Sequence, residues 1–125
     1  MWYENLEQTE FLKQLYIDIP DIDCINIFDF RLSDNGKKLS ISFVLEESLD
    51  YIPPKWRVNS FKYPIIQLDF FEISNVELLL YDCLEDMKLK IYKECSQKIV
   101  VEGIGRAKFK VISEIGVIQK IEGKR

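Results

Sequence analysis

The chain has 125 residues, 47% of them hydrophobic and 30% charged, a formal net charge of −4 and no histidine. This is the composition of a folded domain rather than a disordered chain, and at this length one domain over 1–125 is expected. The missing histidine removes Ser–His and Cys–His nucleophile pairs, histidine bases and nearly all common zinc sites, and Cys24, Cys83 and Cys95, an odd set with no C-x-x-C spacing, support neither a disulfide framework nor a zinc knuckle.

The start, Met1-Trp2-Tyr3-Glu4-Asn5-Leu6-Glu7, carries early carboxylates and no apolar core of a signal peptide. No apolar run approaches the ~20 residues of a membrane span, so a reducing cytoplasm is expected. Asn5-Leu6-Glu7-Gln8 reads as a capping box. Leu6, Phe11, Leu12, Leu15 and Tyr16 recur at helical spacing, and Pro20 limits the run. A helix near 8–16 is expected.

From Cys24 the period changes to two. Leu39, Ile41, Phe43 and Leu45 alternate with Ser40, Ser42 and Val44, and Asn35-Gly36 supplies the positive φ angles of a type I′ turn. Residues 24–32 and 38–46 are therefore expected to pair as a hairpin. A long polar link from Glu46 to Lys62 follows. In it, Pro53-Pro54 reads as a stiff, extended connector, since neither proline can donate to a ladder.

Strands are expected over Ile65–Glu72, Val76–Asp82, around Met87–Ile91, over Ile99–Glu102, around Ala107–Ile112 and over Val117–Ile121. Phe28, Phe30, Phe43, Phe70 and Phe109 read as core. The lysines at 88, 90, 93, 108 and 110 read as solvated faces that discourage edge pairing. The expected fold is mainly β, an antiparallel sandwich or strongly curved sheet of about seven or eight strands over 24–121 with one short N-terminal helix.

Little here suggests catalysis. The carboxylate pairs Asp21/Asp23, Glu46/Glu47 with Asp50, and Glu85/Asp86 read as solvated turns; Asp21-Ile22-Asp23 does not complete a calcium loop. Gly103-Ile104-Gly105 lacks the third glycine and helix of a phosphate cradle and reads as a bend or bulge between strands. Lys108-Phe109-Lys110 places Phe109 toward the core, and the net negative charge opposes a nucleic acid partner. No cofactor or metal is expected, and no direct contact with a membrane.

Charge is uneven along the chain. Residues 1–50 hold eleven acids and four bases, residues 51–125 ten acids and thirteen bases. An acidic surface steers a basic partner, unless the charges interleave on solvated strand faces. Glu46, Glu47 and Asp50 lead into the Pro-Pro link, which then presents Lys55 and Trp56. These five residues are the candidate partner-binding set. Trp56 reads either as an exposed anchor or, preferably, as a plug closing the sandwich end.

Trp2, the acidic helix, Pro20, the Asn-Gly hairpin, Pro54-Lys55-Trp56 and the alternating Ile66-Gln67-Leu68-Asp69-Phe70 together resemble the immunity protein 50 family, small bacterial proteins associated with polymorphic toxin systems. The resemblance implies a non-enzyme that neutralises a cognate toxin by binding it; a basic nuclease would suit the acidic half. The family supplies no catalytic residues to carry over. The alternative is a small-ligand or regulatory module with an aromatic pocket around the 46–63 link.

Overall fold

A computed structural model describes residues 1–125. The elements in chain order are α1 (Glu10–Leu15), β1 (Ile27–Ser33), β2 (Lys38–Val44), α2 (Pro54–Val58), β3 (Tyr63–Phe71), β4 (Asn75–Leu80), β5 (Lys88–Lys93), β6 (Ile99–Ile104), β7 (Ala107–Ser113) and β8 (Ile115–Lys124). The eight strands form two four-stranded antiparallel sheets, ordered β1-β2-β3-β8 and β4-β7-β6-β5. The expectation of a mainly β antiparallel sandwich is met.

Alternation decides which side chains meet between the sheets. Leu39, Ile41 and Phe43 of β2 lie opposite Phe70, Leu68 and Ile66 of β3, and all six are fully buried. From the second sheet Leu89, Ile91, Ile99, Val101, Ala107, Phe109 and Val111 join the same core. Leu12 and Leu15 of α1 enter it too, which fixes the helix against the sandwich.

The chain changes sheets at two neighbouring corners, β3 to β4 and β7 to β8. At the first, Glu72 takes φ +55° and buried Ile73 follows. Ser74 N–H donates to Ile112 C=O and Glu114 N–H to Phe71 C=O, so each corner satisfies the other's backbone. The link through Ser74 from β3 to β4 is therefore a crossing between sheets, not a hairpin.

Several local expectations need correction. Asn5 does not cap the helix; Thr9 is the N-cap, without a side-chain bond. Glu7 instead forms a parallel bridge with Val117, and Gln8 at φ +61° redirects the chain into α1. The 33–38 hairpin is as expected: Asn35 and Gly36 take positive φ, +57° and +83°, and Lys37 N–H donates to Asp34 C=O at 3.0 Å, while the loop between the paired strands is four residues long and Asp34 is left-handed as well. Phe28 is exposed rather than core: the register slips between Ile27 and Asp29, and the extra residue of this bulge turns outward.

Pro53-Pro54 is not wholly extended. Pro53 is, at φ −56° and ψ 145°, but Pro54 opens α2 at a position where its missing N–H leaves no bond unmade. Gly103 lies inside β6, not in a bend, directly across from Phe109. A Cβ there would strike the Phe109 ring, so the glycine makes room for an aromatic that also meets Phe30 edge-on at 5.1 Å. The bend itself falls at Gly105-Arg106.

Candidate partner-binding surface

Six residues of α1 cannot form a stable helix alone. It is held at both ends by chain distant in sequence. Before it, Glu7 N–H donates to Gly116 C=O at 2.9 Å and Ile118 N–H donates to Glu7 C=O at 3.0 Å, stapling the approach to β8. Ahead of that, Trp2 is buried and its indole N–H donates to Pro20 C=O at 2.9 Å.

The last carbonyls of a helix have no partner within it. Here the 46–52 loop supplies partners for that of Leu15. Asp50 N–H and Tyr51 N–H both donate to Leu15 C=O, at 3.0 and 3.2 Å. Beyond the helix, Ile17 N–H donates to the Asp50 carboxylate at 2.7 Å. The Tyr16 hydroxyl donates to Glu47 C=O at 2.9 Å. Each bond contributes about 0.5–1.5 kcal/mol, and four together hold the loop in one shape. Burial, with the Glu47 and Asp50 carboxylates adding to it, pushes the Tyr16 phenol above its ordinary value and keeps it a donor.

The second half of the link docks near the start of the same helix. Trp56 of α2 is only 9% exposed. Its ring meets Phe11 edge-on at 5.8 Å and Phe61 at 6.3 Å. Phe61 N–H donates to Trp56 C=O, and Ser60 at φ +59° makes that return turn. The chain's end closes the base: Lys62 N–H donates to Lys124 C=O, the Arg125 guanidinium donates to Asn59 C=O at 2.9 Å, and it lies 5.8 Å from the Phe61 ring centre.

The five candidate residues thus separate into two groups. Glu46, Glu47 and Asp50 are all exposed and lie on one loop fixed to the C-terminal end of α1. Lys55 is exposed on α2, whereas Trp56 is buried as a plug in a ring cluster with Phe11 and Phe61. The packed rings leave no aromatic cavity at that point; the groove alongside Phe11 is lined by polar side chains such as Gln8, Gln14 and Lys120.

Two residues escaped the sequence reading. Ile17 is 87% exposed and Tyr51 is 48% exposed. Backbone bonds bring both to the acidic loop, since Ile17 binds Asp50 and Tyr51 shares the Leu15 carbonyl with it. No spacing signal marked them: Tyr16 leaves the helix extended and turned inward, and Ile17 sits exposed in the bend that follows. The result is an acidic surface, Glu46, Glu47, Asp50 and neighbouring Asp18, carrying two large apolar side chains.

A family model described as immunity protein 50 matches residues 8–123. No curated protein matches the chain, and no solved structure does.

Proposed function

This chain belongs to the immunity protein 50 family, and from that premise we propose that it neutralises a cognate bacterial toxin by direct protein–protein binding, without catalysis. The observation that carries the reading is the acidic loop, held rigid on α1 by four hydrogen bonds and flanked by exposed Ile17 and Tyr51. Association is weakened when a surface must be ordered on binding. This one is ordered beforehand by contacts that do not need the partner.

A standard interface takes about 800 Å² from each partner, roughly a tenth of the 7391 Å² that the protein exposes. Clustered carboxylates accelerate encounter with a basic surface, and the apolar Ile17 and Tyr51 supply the desolvated contact that slows release. A basic surface is what a nuclease presents to its substrate, so a basic nuclease is the partner class that this face suits. No helix is long and apolar enough to cross a membrane, and a toxin acting in the cytoplasm would be met there.

The test is coexpression with the toxic protein encoded next to this gene. Rescue of growth and a complex recovered from purified components support the reading. A toxic neighbour that the protein neither binds nor neutralises refutes it.

A further inference from the structure

A sandwich of two four-stranded sheets has four edge strands, β1, β8, β5 and β4. Exposed edges invite pairing with other chains, and proteins blunt them with bulges, charges or covering segments. Three of the four are blunted here. β1 carries the bulge at Phe28 and the charged pair Asp29–Arg31. β8 has a register shift, the bridge to Glu7, and Lys120 and Glu122. β5 is studded with Lys88, Lys90 and Lys93, and its start is covered by the bridge from Ile25 to Met87.

β4 has none of these devices. Its pairing with β7 runs from Asn75 to Leu80 with no bulge, and its one charge is Glu77, beside Lys110. Leu78, Leu79, Leu80 and the following Tyr81 are between 43% and 71% exposed, and Ile104 nearby is also exposed. Leu78 and Leu80 share a face with Phe109 and Ala107, the core face, yet nothing from the first sheet covers them. A groove of about 310 Å³ runs along the strand past Leu78, Leu79 and Ile104.

We propose that β4 pairs antiparallel with β4 of a second copy of this chain, joining two four-stranded sheets into one of eight across a two-fold axis. The strand is self-complementary. A two-fold perpendicular to the sheet keeps each face on its own side, so only residues of like parity oppose one another. The register centred on Leu78 sets Val76 opposite Leu80 of the second copy, Leu78 opposite Leu78, and Glu77 opposite Leu79. Apolar cross-strand pairs then line the core-side face, Val76 with Leu80 and Leu78 with Leu78, and on the other face each Glu77 meets Leu79, so the two glutamates avoid the direct apposition that destabilises like charges.

The contact is a small one. Leu78, Leu79, Leu80 and Tyr81 are about half exposed, and large side chains present on the order of 200 Å² each when free, so the four on each copy give roughly 800 Å² in all, the size of a weak, reversible contact rather than of an obligate dimer. The acidic loop lies on α1 and β2's continuation, outside this edge, so the pairing is independent of the toxin-binding reading.

Sedimentation equilibrium of the intact protein from micromolar to millimolar concentration tests the pairing. The expected result is a reversible dimer of twice the 14.8 kDa chain mass, whose dissociation constant rises at least tenfold in Leu79→Glu, which sets like charges opposite Glu77 across the two-fold while facing Lys108 within its own sheet, and stays within twofold in Lys90→Glu on the opposite edge strand. Hydrogen exchange on the unmodified protein provides a second reading, with slower exchange over residues 76–80 as concentration rises. A monomer throughout the range overturns the proposal. So does a dimer that Leu79→Glu leaves intact, or one that forms with no added protection on β4.

Discussion

Replacing Trp56 separates a structural plug from a binding anchor. The indole is 9% exposed and packed edge-on between Phe11 and Phe61. Removing a buried aromatic to alanine costs about 3–5 kcal/mol, and here two ring pairs, worth about 0.5–1.5 kcal/mol each beyond area, are lost together. With a urea dependence of about 1.5 kcal/mol/M, the Trp56→Ala midpoint is expected to fall by about 2–3 M, followed by circular dichroism so that the lost indole does not distort the signal. Trp56→Phe keeps a ring in place and is expected to cost less than about 1.5 kcal/mol. If Trp56 only closes the fold, Trp56→Phe that remains folded binds the toxin as well as the unmodified protein does. A midpoint shift under about 0.5 M in Trp56→Ala would refute the packing argument. A folded Trp56→Phe variant with tenfold weaker binding would refute the assignment of Trp56 to structure alone.

Reversing Glu46 and Glu47 to lysine leaves stability within about 0.5 kcal/mol, since both are exposed, but slows stopped-flow association with the toxin about tenfold at low salt, an effect that shrinks as salt rises; unchanged kinetics would remove the loop from the interface. Asp69 is buried on the outer face of the first sheet, where it accepts from Gln67 Nε2 at 3.0 Å and lies 3.6 Å from Lys38 Nζ. Asp69→Ala therefore costs about 2 kcal/mol and lowers Tm by about 6–10 °C in calorimetry, and a loss under 2 °C would show that the pair is dispensable. Tyr92 donates to Glu102 at 2.7 Å, and that bond, ahead of burial and the neighbouring charges, pushes its phenol up to about 12; the Tyr16 phenol is raised as well, first by burial. A raised folded value stabilises the protein fully below the ordinary value of about 10 and is lost as pH climbs through the folded value. Ultraviolet phenolate titration should thus lose the component near 12 in Tyr92→Phe while Tyr16 still ionises late, and Tyr92 ionising below pH 10 would contradict the hydrogen bond.

The sandwich was readable because its signals are local and periodic. Alternation in Leu39–Leu45 and Ile66–Phe70 names the inward residues directly, and the fold honours it. Errors fell where backbone geometry overrides composition. Phe28 is aromatic and mid-strand, but one extra residue reversed its face. Asn5 has the right chemistry for a cap, but Glu7 is taken by β8, a strand more than a hundred residues later. The acidic loop could be named from Glu46, Glu47 and Asp50, whereas its attachment to Leu15 and the outward turn of Ile17 depend on contacts that spacing does not encode. Alternation with Leu68 and Phe70 sets Asp69 on the opposite face from the core, but its burial there is not legible from that alternation.

The staple between Glu7 and β8 also sets a clock. α1 carries the acidic loop, and α1 is fixed through Glu7 to Gly116 and Ile118, near the far end of the chain. At a synthesis rate of about 5–20 residues per second, the first fifty residues wait for several seconds before the strand that anchors them exists. Pairings so distant in sequence are also slow to close. A nascent chain therefore displays the acidic loop before α1 is anchored to the sandwich. On the function proposed above, binding by that loop begins only when β8 is in place, and a cell relying on it would need a finished stock in advance, because new synthesis starts late by the time taken to make and dock β8.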